Sequence, residues 1–442
     1  MAAPAERFFA GRHVVPNAVR VPEGFKVEVV ATGLNNPSAF DFDEGGRVFI
    51  AETSSQEDQD SEAGRIIALN EDGTTDIVSD EFDGPITGIA YYEGDFFVLE
   101  AGEIGRIHCL AFDGANRVVV DGIPGGGDNP SSDIVVAHSG RIYFAQGTRT
   151  NAGVVGIDNE WLTHHPDLCD IPSRKIILAG LNFTGTNPFG GNPLWTGAFK
   201  PFGFGNFTDE EIPSALKSTG AIFRCDPDGG GLEVVAWGLR RPIGIAVHPD
   251  GRIFCTDVGM EDRGCRRISG GGEYVWEILE DTWYGWPDYQ AGVPVTEERF
   301  KPDGAPQPRF VILDHPSFPP RPVAEYPLGC GLGRFDFSRS PFFGSDGTAF
   351  LPVFGDGEKP GKIIKLDVET LSTEDFAINW EAGQSSSIGS GGMEHPLAVK
   401  FDRTGESIYI LDCGIVETDG RTGRQTIPQT GVLWRIRPDE IL

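Results

Sequence analysis

Short apolar runs alternate with turn residues along most of the chain, and one arrangement of them recurs. In the clearest copy, residues 237–260, a polar approach ending at Pro242 leads into an apolar run at 243–247. The turn His248-Pro249-Asp250-Gly251 follows, and a second apolar run at 252–256 ends shortly before Gly259. Two β-type runs joined by a Gly-containing turn predict an antiparallel hairpin.

Five further segments have the same order of entry loop, inner strand, turn with glycine and second strand. They are entered at Asn36, Asp83, Asp128-Asn129, Gly329-Cys330-Gly331 and Glu394-His395. A third apolar run, such as 64–69, often follows. Because such units cannot bury their faces alone, they must stack. The pattern predicts an all-β fold, a six-bladed β-propeller, with Phe25–Val30 closing the ring as the outer strand of the last blade.

The turn glycines are unevenly spaced, with the widest gaps between Gly140, Gly251 and Gly347. We interpret these gaps as insertions, at about 155–215 and 279–328, although extra blades would also fill them. Both insertions are rich in aromatic residues and predict long rim loops, which either wall a ligand pocket or pack onto the propeller. The expected organisation is an N-terminal extension, 1–20, and a single propeller domain, 21–442.

Composition narrows the class of partner. The chain has 36 Lys and Arg against 66 Asp and Glu, a formal charge of −30, which disfavours nucleic acid and anionic membranes. Seven cysteines without a CxxC pair argue against a disulfide framework and a structural zinc site. The first twenty residues lack a signal-peptide core, so we expect a cytoplasmic protein if Met1 is the native start, and otherwise a secreted or periplasmic one.

The entry loops of a propeller converge on one mouth of its channel, so their polar residues predict a shared site for a small molecule. The candidates there are Asn36, Asp128, Asn129, Arg240, Arg241, Cys330 and His395. Asn and Asp side chains also cap loops by hydrogen bonding to the backbone, which explains their presence here equally well. Adjacent guanidinium groups at Arg240 and Arg241 need acceptors, which a polyanionic ligand would supply.

A candidate metal site follows the second strand of the clearest copy. The carbonyl groups of Gly259 and Met260, with the carboxylate of Asp262 or Glu273, would suit a hard cation such as Ca²⁺. The alternative is that these acidic residues are solvated side chains of a loop and bind no metal.

The run LRRPIGIAVHPDGRIFCTDVGMEDRG, followed by EYVWEI and WYGWPDY, resembles the glucose/sorbosone dehydrogenase family. The resemblance implies a six-bladed propeller that uses pyrroloquinoline quinone and calcium to oxidise sugars. It implies that Arg240 contacts the quinone and that the carbonyl groups of Gly259 and Met260 hold the calcium. Asn129, after Asp128, stands where the family has its catalytic histidine, which leaves His395 as a substitute base.

Three functions remain open. The first is a quinone-dependent sugar or alcohol dehydrogenase, with Ca²⁺ polarising the quinone, Arg240 holding its charge and His395 as base. The second is a Ca²⁺-dependent lactonase or hydrolase, with Asn36, Asn129 and Glu394 as ligands. The third is a catalytically silent binding propeller. The sequence predicts neither the substrate nor the oligomeric state.

Overall fold

Six antiparallel sheets form a ring around a central channel, which confirms the predicted six-bladed propeller. The computed structural model describes residues 7–9, 12–53, 63–112, 114–355, 361–419 and 423–439. The strands of each blade, from the channel outward, are as follows. Blade 1 has Pro37–Phe42, Val48–Thr53, Gly64–Leu69 and Thr75–Ser79; blade 2 has Ile86–Tyr92, Asp95–Glu100, Ile104–Ala111 and Asn116–Pro124; blade 3 has Ser131–Val136, Ile142–Gln146, Ala221–Cys225 and Glu233–Trp237; blade 4 has Arg241–Val247, Ile253–Val258, Gly272–Ile278 and Ala324–Pro327; blade 5 has Asp336–Phe337, Thr348–Val353, Lys362–Asp367 and Ser372–Asn379; blade 6 has Pro396–Phe401, Ile408–Asp412, Gly431–Pro438 and Phe25–Leu34.

The N-terminal region closes the ring. Phe25–Leu34 pairs antiparallel with Gly431–Pro438, as the apolar pattern predicted. Val19–Arg20 adds a fifth strand to blade 5, and Val14 and Val19 are buried in the core between blades 5 and 6. Arg12 forms an ion pair with Asp412 at 2.9 Å, in which both side chains are almost fully buried. Residues 12–20 therefore pack onto the propeller, and the boundary at residue 20 remains a prediction.

Aspartates on the inner strands of blades 1, 3 and 5 connect each of these strands to the inner strand of the next blade. Asp41 accepts a hydrogen bond from the amide of Tyr91, and Asp133 accepts one from the amide of Ile245. Asp336 does the same for the amide of Phe401. An unpaired buried N–H costs about 1–3 kcal/mol, so these aspartates satisfy inner-strand amides at the blade 1–2, 3–4 and 5–6 junctions.

The channel narrows towards the face where the inner strands begin. A Cβ on Gly244 would lie 2.7 Å from the Arg334 Cα, and one on Gly333 would lie 2.3 Å from the Leu397 carbonyl oxygen, so only glycine allows these close approaches. Arg334 of blade 5 reaches across the channel and donates to the carbonyl groups of Thr87 and Ser132, at 2.6 and 2.7 Å. Its guanidinium group closes this end of the channel.

Two insertions lie against blades 2, 3 and 4. The first contains short paired strands where we expected irregular loops: Ile176–Ala179 with Thr208–Ile212, and Asn182–Gly185 with Leu194–Gly197. Many of their side chains are exposed, so no apolar alternation marks these strands in the sequence. In the second insertion, Thr282–Trp283 extends blade 3 in parallel pairing, and Trp283, Tyr284 and Trp286 are buried.

The remaining elements are short. The other paired strands are Arg7–Phe9 with Arg12–Val14, Tyr289–Gln290 with Val293–Pro294, and Val416–Asp419 with Gly423–Thr426. One short α-helix, Ser385–Ile388, and the 3-10 helices Pro16–Ala18, Glu160–Thr163, Glu298–Phe300 and Pro341–Phe343 complete the described structure. None of the helices in the described ranges is long and apolar enough to cross a membrane.

Candidate ligand site at the channel mouth

The entry loops are fixed by polar side chains at the ends of the second strands. Four of these groups are carboxylates that accept entry-loop amides, and the fifth, in blade 3, is an amide. They are Glu52 with Asn35, Glu100 with Gly84, Gln146 with Asn129 and Ser131, Asp257 with Arg241, and Asp412 with Glu394 and His395. Several polar residues at the mouth therefore hold the loops in place.

Blade 5 uses a carboxylate from its neighbour. Glu273, on the third strand of blade 4, accepts hydrogen bonds from the amides of Gly329, Gly331 and Leu332 at 2.6–3.0 Å. The Cys330 thiol donates to the same carboxylate, and burial raises the pKa of this thiol to about 12. Glu273, proposed from the sequence as a metal ligand, thus anchors the entry loop that carries Cys330.

Arg240 lies at the centre of a charged group between blades 3 and 4. Its guanidinium donates to the Gly259 carbonyl at 2.7 Å and to the Glu261 carboxylate at 2.9 Å. The side chain is 3% exposed, and its Nε is buried without a hydrogen-bond partner. Burial lowers the Arg240 pKa, and the nearby Glu261 opposes that effect.

Arg263 extends this group to the first insertion. It donates to Glu261 at 2.9 Å, to Asp128 at 2.7 Å and to Asp158 at 2.9 Å. We call Asp128, Asp158, Arg240, Glu261 and Arg263 the mouth cluster. Two guanidinium groups face three carboxylates, so the fully ionised cluster carries one net negative charge.

Asp128 and Asp158 have different surroundings within the mouth cluster. Asp128 also accepts hydrogen bonds from Asn159 and from the Trp161 indole, so its oxygens are fully used. Asp158 keeps one buried oxygen, Oδ1, without a partner. Burial raises the Asp158 pKa even though Arg263 is adjacent. Asp158 therefore has a buried oxygen that can accept a further hydrogen bond.

Glycine shapes the space around Asp158. A Cβ on Gly264 would lie 2.7 Å from its carboxylate oxygen Oδ2, and one on Gly156 would lie 2.8 Å from Oδ1. Gly264 also has a φ of +80°, in the left-handed region that favours glycine. The two glycines allow the backbone to approach the carboxylate closely.

Asn129, at the position of the family's catalytic histidine, and His395, the proposed substitute base, are both held by backbone carbonyls. Asn129 is 4% exposed and donates to the Thr148 carbonyl and hydroxyl, at 3.0 and 3.1 Å. His395 is also 4% exposed, stacks on Phe354 and shares a 3.0 Å hydrogen bond between Nδ1 and the Phe354 carbonyl. Since a carbonyl only accepts, Nδ1 carries the proton, and Nε2 is the acceptor of the ring.

The other proposed residues differ in their exposure and in their hydrogen-bond partners. Asn36 is exposed, with a φ of 41°, and the Arg241 side chain is exposed and makes no hydrogen bond or ion pair with a described residue. Glu394 is 1% exposed and accepts the amide of Ser386. Asn36, Asn129 and Glu394, proposed as ligands of a hydrolase metal, make no hydrogen bonds to one another in the described chain, and this ligand set remains a prediction.

In the turn proposed for calcium, the Gly259 carbonyl already accepts a hydrogen bond. The Gly259 carbonyl faces the Arg240 guanidinium, and a cation bound there would meet a positive charge. A Cβ on Gly271 would lie 2.1 Å from the Met260 carbonyl oxygen, so the backbone packs closely against this oxygen. Asp262 is exposed and pairs with Arg267. In the part of the chain that the structure describes, no three His, Cys, Asp or Glu residues are grouped to hold a metal ion. These residues do not fit calcium.

The mouth cluster does not fit an anionic quinone either. Pyrroloquinoline quinone carries carboxylates, which need cations that are not already neutralised. Arg240 and Arg263 both bind carboxylates of the chain itself. Arg241 is the remaining free guanidinium of the entry loop proposed for the quinone.

Sequence reasoning missed the roles of Asp158, Glu261 and Arg263. Asp158 lies 105 positions before Arg263, and no repeat marks it. The available signal was weaker: Glu261 and Arg263 closely follow the Gly259-Met260 turn, and acidic and basic residues this near to each other indicate ion pairing.

No family model matches the chain, and no curated protein matches it. Several solved structures do match the chain. A glucose-dehydrogenase oxidoreductase from Thermus thermophilus is 18% identical, with a TM-score of 0.54, and the match covers 93% of this chain and 100% of that one. The quinone-bound aldose sugar dehydrogenase from Streptomyces coelicolor is 15% identical, with a TM-score of 0.54 and coverages of 95% and 100%. The quinone domain of a pyranose dehydrogenase from Coprinopsis cinerea is 12% identical, with a TM-score of 0.56 and coverages of 95% and 97%. The chain thus shares the propeller fold of quinone-dependent sugar dehydrogenases, as the sequence resemblance implied.

Proposed function

We propose that the mouth cluster binds a small, neutral, polyhydroxylated molecule, a sugar or sugar alcohol. The observation that carries this proposal is the unpartnered, buried Oδ1 of Asp158 beside the Arg263 guanidinium. A buried acceptor without a donor costs about 1–3 kcal/mol, and a ligand hydroxyl would restore the missing hydrogen bond.

The charges of the cluster favour a neutral ligand. An added carboxylate would meet Asp158 and Glu261, whereas a hydroxyl group both donates to a carboxylate and accepts from a guanidinium. Glu261 and Arg263 are 37% and 29% exposed, so their remaining hydrogen-bonding positions are open to a ligand. The similar structures are dehydrogenases of glucose, an aldose sugar and a pyranose, which supports the same class of ligand.

Calorimetric titration with a panel of aldoses and sugar alcohols tests this proposal. Replacing Asp158→Asn should weaken the best ligand by about tenfold or more, because a hydrogen bond to a charged group contributes roughly 1.5–3 kcal/mol. The matched control is Asp262→Asn, in the same loop as Arg263 but paired outward with Arg267. If no ligand of the panel binds at millimolar concentration, or if both variants weaken it equally, the proposal fails.

Sugar oxidation is the second candidate, and Asp158 is the observation that favours it. A carboxyl group with a raised pKa is suited to take the proton of a substrate hydroxyl. The reaction also requires an electron acceptor, and the Gly259 turn and the mouth cluster do not fit calcium and the quinone. We therefore expect no spectral change when pyrroloquinoline quinone, Ca²⁺ and an aldose are added. Reduction of the quinone that Asp158→Asn abolishes would instead establish the dehydrogenase.

A further inference from the structure

The channel continues below Arg334 as a separate cavity of about 340 Å³. We call it the lower cup. The inner strands of all six blades line it, and its rim includes the exposed side chains of His138 and Arg403 at the far ends of these strands. Since Arg334 closes the mouth end, the lower cup opens on the opposite face. Its volume lies within the roughly 300–1,000 Å³ of small-molecule sites.

Basic side chains are concentrated in the lower cup. Arg334 forms its floor, Lys400 its wall, and Arg339 and Arg403 its rim. Four such groups in one channel contrast with the −30 charge of the whole chain. Three acids, Asp41, Asp133 and Asp336, are the carboxylates of the cavity.

The acids are more fully occupied than the bases. Each of the three aspartates already accepts an inner-strand amide of the next blade. Lys400 has one described partner, Asp41 at 3.0 Å, which leaves two ammonium hydrogens. Arg339 is 44% exposed and uses one nitrogen on Asp336. Its other guanidinium hydrogens are available to a ligand.

The Arg403 side chain is held in place at the rim. It donates to the carbonyl groups of Phe42 and Asp43 and lies over the Tyr91 ring, 4.9 Å from the centroid. Because carbonyl groups carry no net charge, they orient the guanidinium without neutralising it, and no described carboxylate forms an ion pair with Arg403. At the floor, the Arg334 Nε is buried without a hydrogen-bond partner and lies 3.6 Å from the Asp133 carboxylate, which offsets part of its charge.

From this arrangement we propose that the lower cup is a second ligand site, which binds the oxyanion of a small molecule, a carboxylate or a phosphate. Guanidinium and ammonium donors on the floor, wall and rim would contact the anion from several directions. The mouth cluster, with its excess of acid, selects the opposite kind of ligand. The two sites are independent because Arg334 separates them.

Calorimetric titration of the full chain with inorganic phosphate and with citrate, at constant ionic strength, tests the lower cup. We expect at least one anion to bind with a dissociation constant of ~1 mM or lower, and the preferred anion identifies the group. The double variant Arg339→Gln/Arg403→Gln should weaken binding by about tenfold or more. The control Arg117→Gln/Arg174→Gln has the same change in net charge, at one exposed strand residue and one exposed loop residue, and should stay within about twofold.

Thermal melts in the absence of the anions show whether each double variant is folded. Absence of binding by both anions up to ~10 mM would overturn the proposal. Equal weakening in the two double variants would also overturn it, since only the general charge of the surface would then matter. If Arg339→Gln/Arg403→Gln does not fold, Arg339→Gln alone replaces it, because that side chain is half-exposed.

Discussion

Asp257 is a buried carboxyl group whose ionisation should measurably oppose folding. It lies opposite Pro242 at the end of the second strand of blade 4 and accepts the Arg241 amide at 2.7 Å. Burial raises the Asp257 pKa from 3.8 to about 7, despite that hydrogen bond and the nearby Arg240. The folded protein therefore binds a proton at pH values where the unfolded chain has released it.

The linkage between proton binding and folding gives the sign and size of the pH dependence of stability. For a raised carboxyl pKa, the contribution to stability is fully present below the unfolded value of 3.8 and is lost as the pH rises through about 7. A difference of about three pKa units corresponds to about 4 kcal/mol in total, of which about 3 kcal/mol lies between pH 5 and pH 8. The Asp257→Asn variant has no proton to lose, so its stability relative to the native chain should rise by that amount over the same interval.

Urea unfolding of the native chain and Asp257→Asn at several pH values between 5 and 8 measures this difference. The control is Asp262→Asn, because hydrogen bonding to Arg267 lowers the pKa of this exposed carboxylate and its partners do not titrate between pH 5 and pH 8, so that both the folded and the unfolded forms are ionised throughout the interval. Its difference from the native chain should stay constant. If the Asp257→Asn difference is also constant with pH, the carboxyl group is not protonated in the folded protein, and the argument is refuted.

Three further predictions concern buried or occupied groups. Replacing Arg12→Met should lower the free energy of unfolding by about 3–5 kcal/mol, since it leaves the Asp412 carboxylate buried without its cation; a loss below about 1 kcal/mol in urea unfolding would contradict this. Melting temperatures with EDTA and with Ca²⁺ should agree within ~1 °C, because the Gly259 carbonyl faces a guanidinium, and a clear rise with Ca²⁺ would contradict that geometry. Cys330 should react with iodoacetamide at pH 8 far more slowly than a free thiol, because its pKa is raised to about 12. Labelling followed by mass spectrometry measures the rate. Fast modification would show that Glu273 does not hold the thiol.

The propeller was predictable because its signal is local. Each blade repeats an apolar hairpin, and the strand Gly64–Leu69 was read correctly from six consecutive residues. Closure by the N-terminal strand followed because a ring of sheets leaves one sheet short of its outer strand. The paired strands within the first insertion escaped prediction because their burial does not follow polarity: Leu194 and Trp195 are exposed, whereas Thr196 and Gly197 are buried.

The candidate site was only partly predictable, since its residues meet across long sequence separations. The entry loops did identify Arg240 and Asp128, and both belong to the mouth cluster. The entry-loop pattern does not show which partner each polar group has. Glu273 follows the Gly259 turn by fourteen positions and looks available in the sequence, but three amides of another blade occupy it.

The same backbone turn can serve different chemistry according to the charge placed next to it. Two successive carbonyls at Gly259 and Met260 suit a hard cation when carboxylates stand nearby. Here the nearest charge is the guanidinium of Arg240, which already satisfies the Gly259 carbonyl. The acids that could have compensated a metal instead bind arginine: Glu261 pairs with Arg240 and Arg263, and Asp262 pairs with Arg267. A cation at this turn would have to displace guanidinium groups, which agrees with the proposal that the mouth binds hydroxyl groups. A likeness of fold to quinone-dependent dehydrogenases is therefore compatible with a ligand that is bound without the metal.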